Sequence, residues 1–120
     1  MNVVDRLQKN LITTDSVLFG YLFGSYAKGL QTERSDIDIA LYLNDTDLDT
    51  QLQITYELSK LLGKEIDLLV LNRAKNLYLL DEVFQEGIII KESPKRFDFE
   101  LIKQHQILDY KAFKKRLYVA

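Results

Sequence analysis

Cysteine and tryptophan are absent from this sequence of 120 residues, and proline, histidine and methionine occur once each. Without cysteine there is neither a disulfide framework nor a thiolate metal site, so any metal ion must be held by oxygen ligands. No apolar run approaches the roughly 20 residues that a membrane span needs. The first residues also lack the basic and then apolar layout of a secretory signal. These absences predict a cytoplasmic protein that does not enter a membrane.

The formal net charge of -2 is unevenly distributed along the chain. Residues 95–120 carry seven Lys and Arg against three Asp and Glu, whereas residues 1–94 carry nine against fifteen. An acidic body argues against direct, broad binding of nucleic acid. The basic amphipathic C-terminal segment is most simply a solvated helix face, and the alternatives are contact with RNA or with an acidic protein surface.

The length fits one domain that is large enough to bury a core, and no repeat or linker divides it. Apolar residues recur with helical spacing in some segments and alternate with polar residues in others. Helices are predicted over residues 2–12, 48–62, 76–86 and 97–118, and strands over residues 17–23, 36–43, 65–71 and 88–92. We expect residues 1–93 to form the main unit and residues 94–120 a helical extension of the same domain.

A polar turn joins the first two predicted strands. Gly24 follows the apolar strand residues, and the missing β-carbon there lets another group approach the backbone. Ser25 is expected to be the N-cap of a short helix that continues to Lys28. The free N–H groups at the start of such a helix favour a phosphate group. Gly24 and Ser25 are therefore predicted to hold a phosphate.

Carboxylates follow this turn on the second predicted strand. Alternation along the strand places Asp36 and Asp38 on one face, about 7 Å apart. The third predicted strand carries Asp67, with Glu65 as a bystander on the same face. If the second and third strands are neighbours, Asp36, Asp38 and Asp67 converge on one face of the sheet. Hard carboxylate oxygens in such a group predict a site for divalent cations.

These carboxylates suit the transfer of a nucleotidyl group from a nucleoside triphosphate. Two magnesium ions roughly 3.5 to 4 Å apart stabilise the entering and leaving oxygens in such reactions. Asp36 and Asp38 would bridge the ions, and Asp67 would complete the shell and help to deprotonate the acceptor hydroxyl. Lys28 or Arg34 would neutralise the leaving pyrophosphate, or would simply be exposed residues of the turn.

The spacing of these residues resembles a known signature. Gly24-Ser25, ten intervening residues, Asp36-x-Asp38 and a distant strand aspartate, Asp67, resemble the DNA polymerase β-like nucleotidyltransferase superfamily. The fuller pattern Gly-Ser-x-Ala-x-Gly-x(5)-Ser-Asp-Ile-Asp resembles the minimal nucleotidyltransferases, or MNT proteins, over roughly residues 3–92. Many MNT proteins are antitoxins encoded beside HEPN-domain toxins.

The resemblance implies an α/β (α+β) fold with a mixed sheet flanked by helices. It also implies two Mg²⁺ ions, ATP as donor, and transfer of AMP to a tyrosine of a HEPN ribonuclease toxin, with which the chain would form a hetero-oligomer. Ser35 is assigned with Gly24 and Ser25 to the nucleotide site, chiefly as a hydrogen-bonding residue that supports the aspartates. Two alternatives stay open: an antitoxin that acts by binding without catalysis, and a transferase that modifies a small molecule or an RNA end with the help of a partner subunit.

Overall fold

The computed structural model describes residues 2–119, with helices and strands in alternation. The elements are α1 (Val3–Leu11), β1 (Val17–Phe23), α2 (Gly24–Lys28), β2 (Ile37–Leu43), α3 (Leu48–Leu62), β3 (Ile66–Val70), a 3-10 turn (Leu71–Arg73), α4 (Leu77–Glu86), β4 (Ile88–Lys91) and α5 (Pro94–Val119). No helix among these residues is both long enough and apolar enough to cross a membrane.

The four strands form one mixed sheet in the order β3-β2-β1-β4. β1 pairs antiparallel with both β2 and β4, whereas β2 and β3 are parallel. A parallel pair needs a long crossover, and α3 supplies it. The mixed sheet and the adjacency of β2 to β3 confirm the predicted fold.

The two faces of the sheet pack against different helices. On one face, α1 and α3 cover a core that includes alternate residues of β2, namely Ile37, Ile39, Leu41 and Leu43. On the other face, α4 and α5 cover a second core in which β1 contributes Phe19, Tyr21 and Phe23. Because strand side chains alternate between faces, Asp38 projects toward the α4 side of the sheet.

The last helix begins earlier than the sequence pattern predicts, at Pro94 instead of residue 97. Proline lacks an N–H group and is well suited to the first position of a helix, where that N–H would have no partner within the helix. The Ser93 hydroxyl accepts a hydrogen bond from the Lys95 N–H at 3.1 Å, so Ser93 caps the helix. Proline therefore starts α5 and does not merely end the preceding strand.

Helix α5 attaches to the sheet through a few residues of one side. Phe99 packs against the rings of Phe19 and Tyr42, with centroids 5.7 and 5.5 Å away, and Ile107 is buried. The buried Tyr21 hydroxyl donates to the Glu100 carboxylate at 3.1 Å. These contacts support the description of residues 94–120 as an extension of the domain, which stays a prediction.

Candidate active site

Two of the predicted aspartates face each other across the parallel strands. Asp38 on β2 is the register partner of Asp67 on β3, while Asp36 lies just before β2 begins at Ile37. Asp38 is half-buried, and Asp36 and Asp67 are exposed. The aspartates were predicted to converge if the second and third strands are neighbours, and β2 and β3 are neighbours. The result is a group of carboxylates at the edge of the α4-covered face.

The electrostatics of Asp38 reflect these neighbours. Burial is the largest cause that raises the pKa of the Asp38 carboxyl above its usual value. The charge of Asp67, a hydrogen bond with Asp67, and the charges of Asp36 and Glu82 raise it further. The raised pKa therefore reflects the position of Asp38, which is partly buried among like charges.

Gly24 lies directly against the Asp38 carboxylate. Its φ of +70° falls in the left-handed region, and a β-carbon at this position would lie 2.1 Å from Asp38 Oδ2. Both observations require glycine, because other residues adopt this backbone conformation at a cost and none has room beside the carboxylate. The first turn of α2 and the carboxylate of β2 are thus in direct contact.

The expectation that Ser25 is an N-cap is wrong. α2 starts at Gly24, its N-cap position is Phe23, and the cap makes no side-chain hydrogen bond. Gly24, whose φ is positive, is the first helical residue, so the helix starts two residues earlier than it would after a serine cap at position 25. Ser25 instead lies inside the first turn, with its hydroxyl free of a capping role.

A cavity of about 320 Å³ opens beside the aspartates. Asp38, Asp67 and Gly24 line its polar side together with Glu82 of α4, and apolar side chains line the rest: Phe23, Leu68, Leu69 and Leu79. The sequence did not point to Glu82 or Leu79. Glu82 is one of several acidic residues on an amphipathic helix, and no local signal separates it from its neighbours.

The remaining motif residues have contacts of their own. The ammonium of Lys28 pairs with Glu82 at 3.2 Å and with Glu86 at 2.9 Å. The Ser35 hydroxyl accepts a hydrogen bond from the Thr32 N–H at 2.8 Å, which closes the loop before β2. Its contacts in the structure lie within the loop, so a role for Ser35 toward a nucleotide stays a prediction.

The geometry of the site agrees with the comparison of this chain with known families. The model for the family described as polymerase beta, nucleotidyltransferase matches residues 5–96. The chain belongs to this nucleotidyltransferase family. It is therefore an enzyme domain whose matched region contains every aspartate of the site.

One relative and one solved structure are matched over nearly their full length. MJ0435 of Methanocaldococcus jannaschii, provisionally named a protein adenylyltransferase, is 40% identical over 89 residues, which are 73% of this chain and 95% of that protein. A crystal structure of a toxin-antitoxin pair with AMP-PNP contains a chain with a TM-score of 0.73 and 26% identity, matching 98% of this chain and 94% of that chain.

A second structure shows the same fold at lower identity. It is the complex of a tri-AMPylated Shewanella oneidensis HEPN toxin with MNT antitoxin, and the match has a TM-score of 0.69 and 21% identity over 96% of this chain and 95% of that chain. The fold of this nucleotidyltransferase is therefore that of chains found in toxin-antitoxin complexes.

The donor set fits a hard divalent cation. The titratable side chains of the cavity are carboxylates, and the raised pKa of Asp38 marks a charge that a cation would offset. Among residues 2–119, however, no three acidic or histidine side chains stand close enough together to hold a metal ion by themselves. A divalent cation held by these carboxylates would therefore take its remaining ligands from water or from a bound substrate.

Proposed function

We propose that this nucleotidyltransferase transfers AMP from ATP, with Mg²⁺, to a tyrosine of a HEPN ribonuclease toxin in the cytoplasm, and thereby acts as its antitoxin. The observation that carries the proposal is the pairing of Asp38 with Asp67 against Gly24, beside a cavity, in a chain of the nucleotidyltransferase family. The choice of AMP is supported by the adenylyltransferase relative and by the AMP-PNP of the similar toxin-antitoxin structure.

The turn at Gly24 and Ser25 would hold the triphosphate. Gly24 brings the backbone next to the Asp38 carboxylate, so N–H groups of the turn lie beside the carboxylates that would hold the cation. The Ser25 hydroxyl, which does not cap the helix, adds a donor for a phosphate oxygen. A triphosphate held in this way would have its α-phosphate beside the cavity.

The cations would be held by Asp36, Asp38 and Asp67. When bound, Mg²⁺ supplies charge neutralisation for the oxygens that enter and leave phosphorus. The apolar wall formed by Phe23, Leu69 and Leu79 offers a surface on which the ring of an acceptor tyrosine can pack.

The transfer of AMP requires only ATP and the acceptor tyrosine as reactants. The tyrosine hydroxyl oxygen attacks the α-phosphorus of ATP, and a new P–O bond forms while the bond from the α-phosphorus to the bridging oxygen of the β-phosphate breaks. Asp67 takes the proton of the hydroxyl, and pyrophosphate leaves. Asp67 is suited to this role because it is exposed at the cavity, where an acceptor on another protein can reach it.

Intact-mass spectrometry of the protein encoded beside this gene, which the proposal expects to be a HEPN toxin, tests the proposal. The partner is incubated with this chain, ATP and Mg²⁺, and we expect mass increments of one or more AMP units. The Asp36→Ala/Asp38→Ala variant is the matched control, and with it the increments should be absent. A stable complex without any increment would overturn the proposal in favour of inhibition by binding or of a different acceptor.

A further inference from the structure

Glu82 lies between two groups that the nucleotidyl transfer would use. It lines the cavity with Asp38 and Asp67, and its carboxylate also pairs with the ammonium of Lys28. Lys28 is the last residue of α2, the helix that begins at Gly24. Glu82 therefore connects the cavity of the aspartates to the far end of the turn that would hold the triphosphate.

The ion pairs involved contribute little to stability. The side chains of Lys28, Glu82 and Glu86 are 34%, 38% and 46% exposed. Ion pairs with this much contact with water contribute little to the free energy of unfolding, because solvent screens them and ordering long side chains costs entropy. Their main effect is to determine where the ammonium group is found.

The position of that ammonium matters because the site is acidic. The Asp38 carboxylate is under the influence of three further negative charges, those of Asp36, Asp67 and Glu82. A bound triphosphate would add more negative charge. Lys28 brings a positive charge to within 3.2 Å of a carboxylate that lines the cavity. A lysine that moved freely at the end of a short helix would spend much of its time in solvent.

We propose that Glu82 is a positioning residue that acts through Lys28: together with Glu86 it holds the Lys28 ammonium at the rim of the aspartate cavity, where it binds the β- and γ-phosphates of the donor nucleotide. This inference rests on the proposed function for the identity of the donor. It assigns a role to an acidic residue that would, by charge alone, repel the nucleotide.

The inference is testable because the two possible effects of Glu82 on nucleotide affinity have opposite signs: positioning Lys28 would strengthen binding, and direct charge repulsion would weaken it. Calorimetric titration with AMP-PNP and Mg²⁺ measures nucleotide affinity without any acceptor protein. We expect Lys28→Met to weaken binding about tenfold, and Glu82→Gln to weaken it about three- to fivefold, the range for a half-exposed charged contact. If Glu82 acted by charge alone, Glu82→Gln would tighten binding and overturn the inference.

A double-mutant cycle tests whether the effect passes through Lys28. In the Lys28→Met background, Glu82→Gln should no longer weaken binding, because no ammonium remains to be positioned. An equal loss in both backgrounds would contradict the inference. Glu82→Asp, which keeps the carboxylate, should recover part of the affinity, and Glu57→Gln on α3, at the other face of the sheet, should leave it unchanged.

The binding measurements test the role of Glu82 separately from the proposal that a HEPN toxin is the acceptor of AMP. If AMP-PNP binds and the cycle behaves as expected while the HEPN partner gains no mass, the acceptor is wrong and the role of Glu82 stands. If the partner is modified but Glu82→Gln binds AMP-PNP as well as the unmodified chain does, the role of Glu82 is refuted and the proposed function stands. Thermal unfolding of each variant verifies that it is folded.

Discussion

Asp67 lies directly opposite Asp38 in the parallel pairing of β3 with β2. Residues in register on neighbouring strands project to the same face, so this pairing alone brings together carboxylates that are 29 positions apart in the sequence. Like charges in this position oppose each other, and folding must supply the energy to hold them together. This arrangement is expected where a function, and not stability, requires the charges.

Replacement of Asp67 tests its assignment as the base. Asp67→Asn should lower kcat for AMP transfer by about 10²–10⁴-fold, because a carboxamide cannot accept the acceptor proton. Glu65→Gln is the matched control, since Glu65 is also exposed and lies just before β3. A rate close to that of the unmodified chain for Asp67→Asn would show that another group takes the proton.

Replacement of Asp38 should separate stability from activity. Because the folded-state pKa of Asp38 is raised, its ionised form costs stability at neutral pH, and this cost diminishes as the pH falls through the folded pKa. Asp38→Asn should therefore abolish transfer and raise the free energy of unfolding at pH 7 by about 0.5 kcal/mol, a value reduced for solvent screening. Urea denaturation at pH 7 measures the difference, and a decrease would contradict the expected repulsion.

Gly24 and Gly29 form a matched pair of glycines. Both have a left-handed backbone, with φ of +70° and +72°, but a β-carbon at Gly29 would meet nothing within 4 Å. Each alanine variant should lose about 1–2 kcal/mol of unfolding free energy from the backbone conformation. Gly24→Ala should also displace the Asp38 carboxylate and lose transfer activity, whereas Gly29→Ala should retain it. Equal activities of the two variants would show that the contact with Asp38 is unimportant.

Metal binding should depend on nucleotide. The side chains of residues 2–119 form no three-ligand metal group, so Mg²⁺ alone should bind weakly and AMP-PNP should strengthen its binding by about tenfold or more. Titration calorimetry with and without AMP-PNP measures this linkage. In the Asp36→Ala/Asp38→Ala variant the linkage should disappear while the circular dichroism spectrum stays unchanged. Persistent Mg²⁺ binding in that variant would move the metal site elsewhere.

Helix α5 should be attached chiefly by Phe99. Its ring lies among Phe19, Tyr42 and Phe84, whereas Phe97, two residues earlier, is 65% exposed. Phe99→Ala should lower the free energy of unfolding by about 2–3 kcal/mol, and Phe97→Ala should change it by less than about 0.5 kcal/mol. Denaturant titration compares the two. Equal losses would indicate that the opposite side of α5 is also packed.

Several features of the fold could be predicted because they depend on local patterns. Alternation along residues 36–43 indicated that Asp38 faces away from the Ile37 side, and the cores confirm it. The third helix was predicted to end at residue 62, and α3 does end there, with the next residue, Gly63, as its C-cap at φ of +65°. The predicted cap of α2 was wrong because the rule for serine caps does not allow for a glycine that starts the helix two residues earlier.

The sequence by itself determined the residue types of the site, the faces on which they lie and the family to which they belong. These follow from spacing, since the strand period and the motif are properties of neighbouring residues. The tertiary structure alone decided that Asp67 faces Asp38, that Gly24 contacts its carboxylate, and that Glu82 joins the cavity and holds Lys28. Strand order and helix docking decide these contacts, and both depend on burial of apolar surface over the whole chain and not on any local pattern.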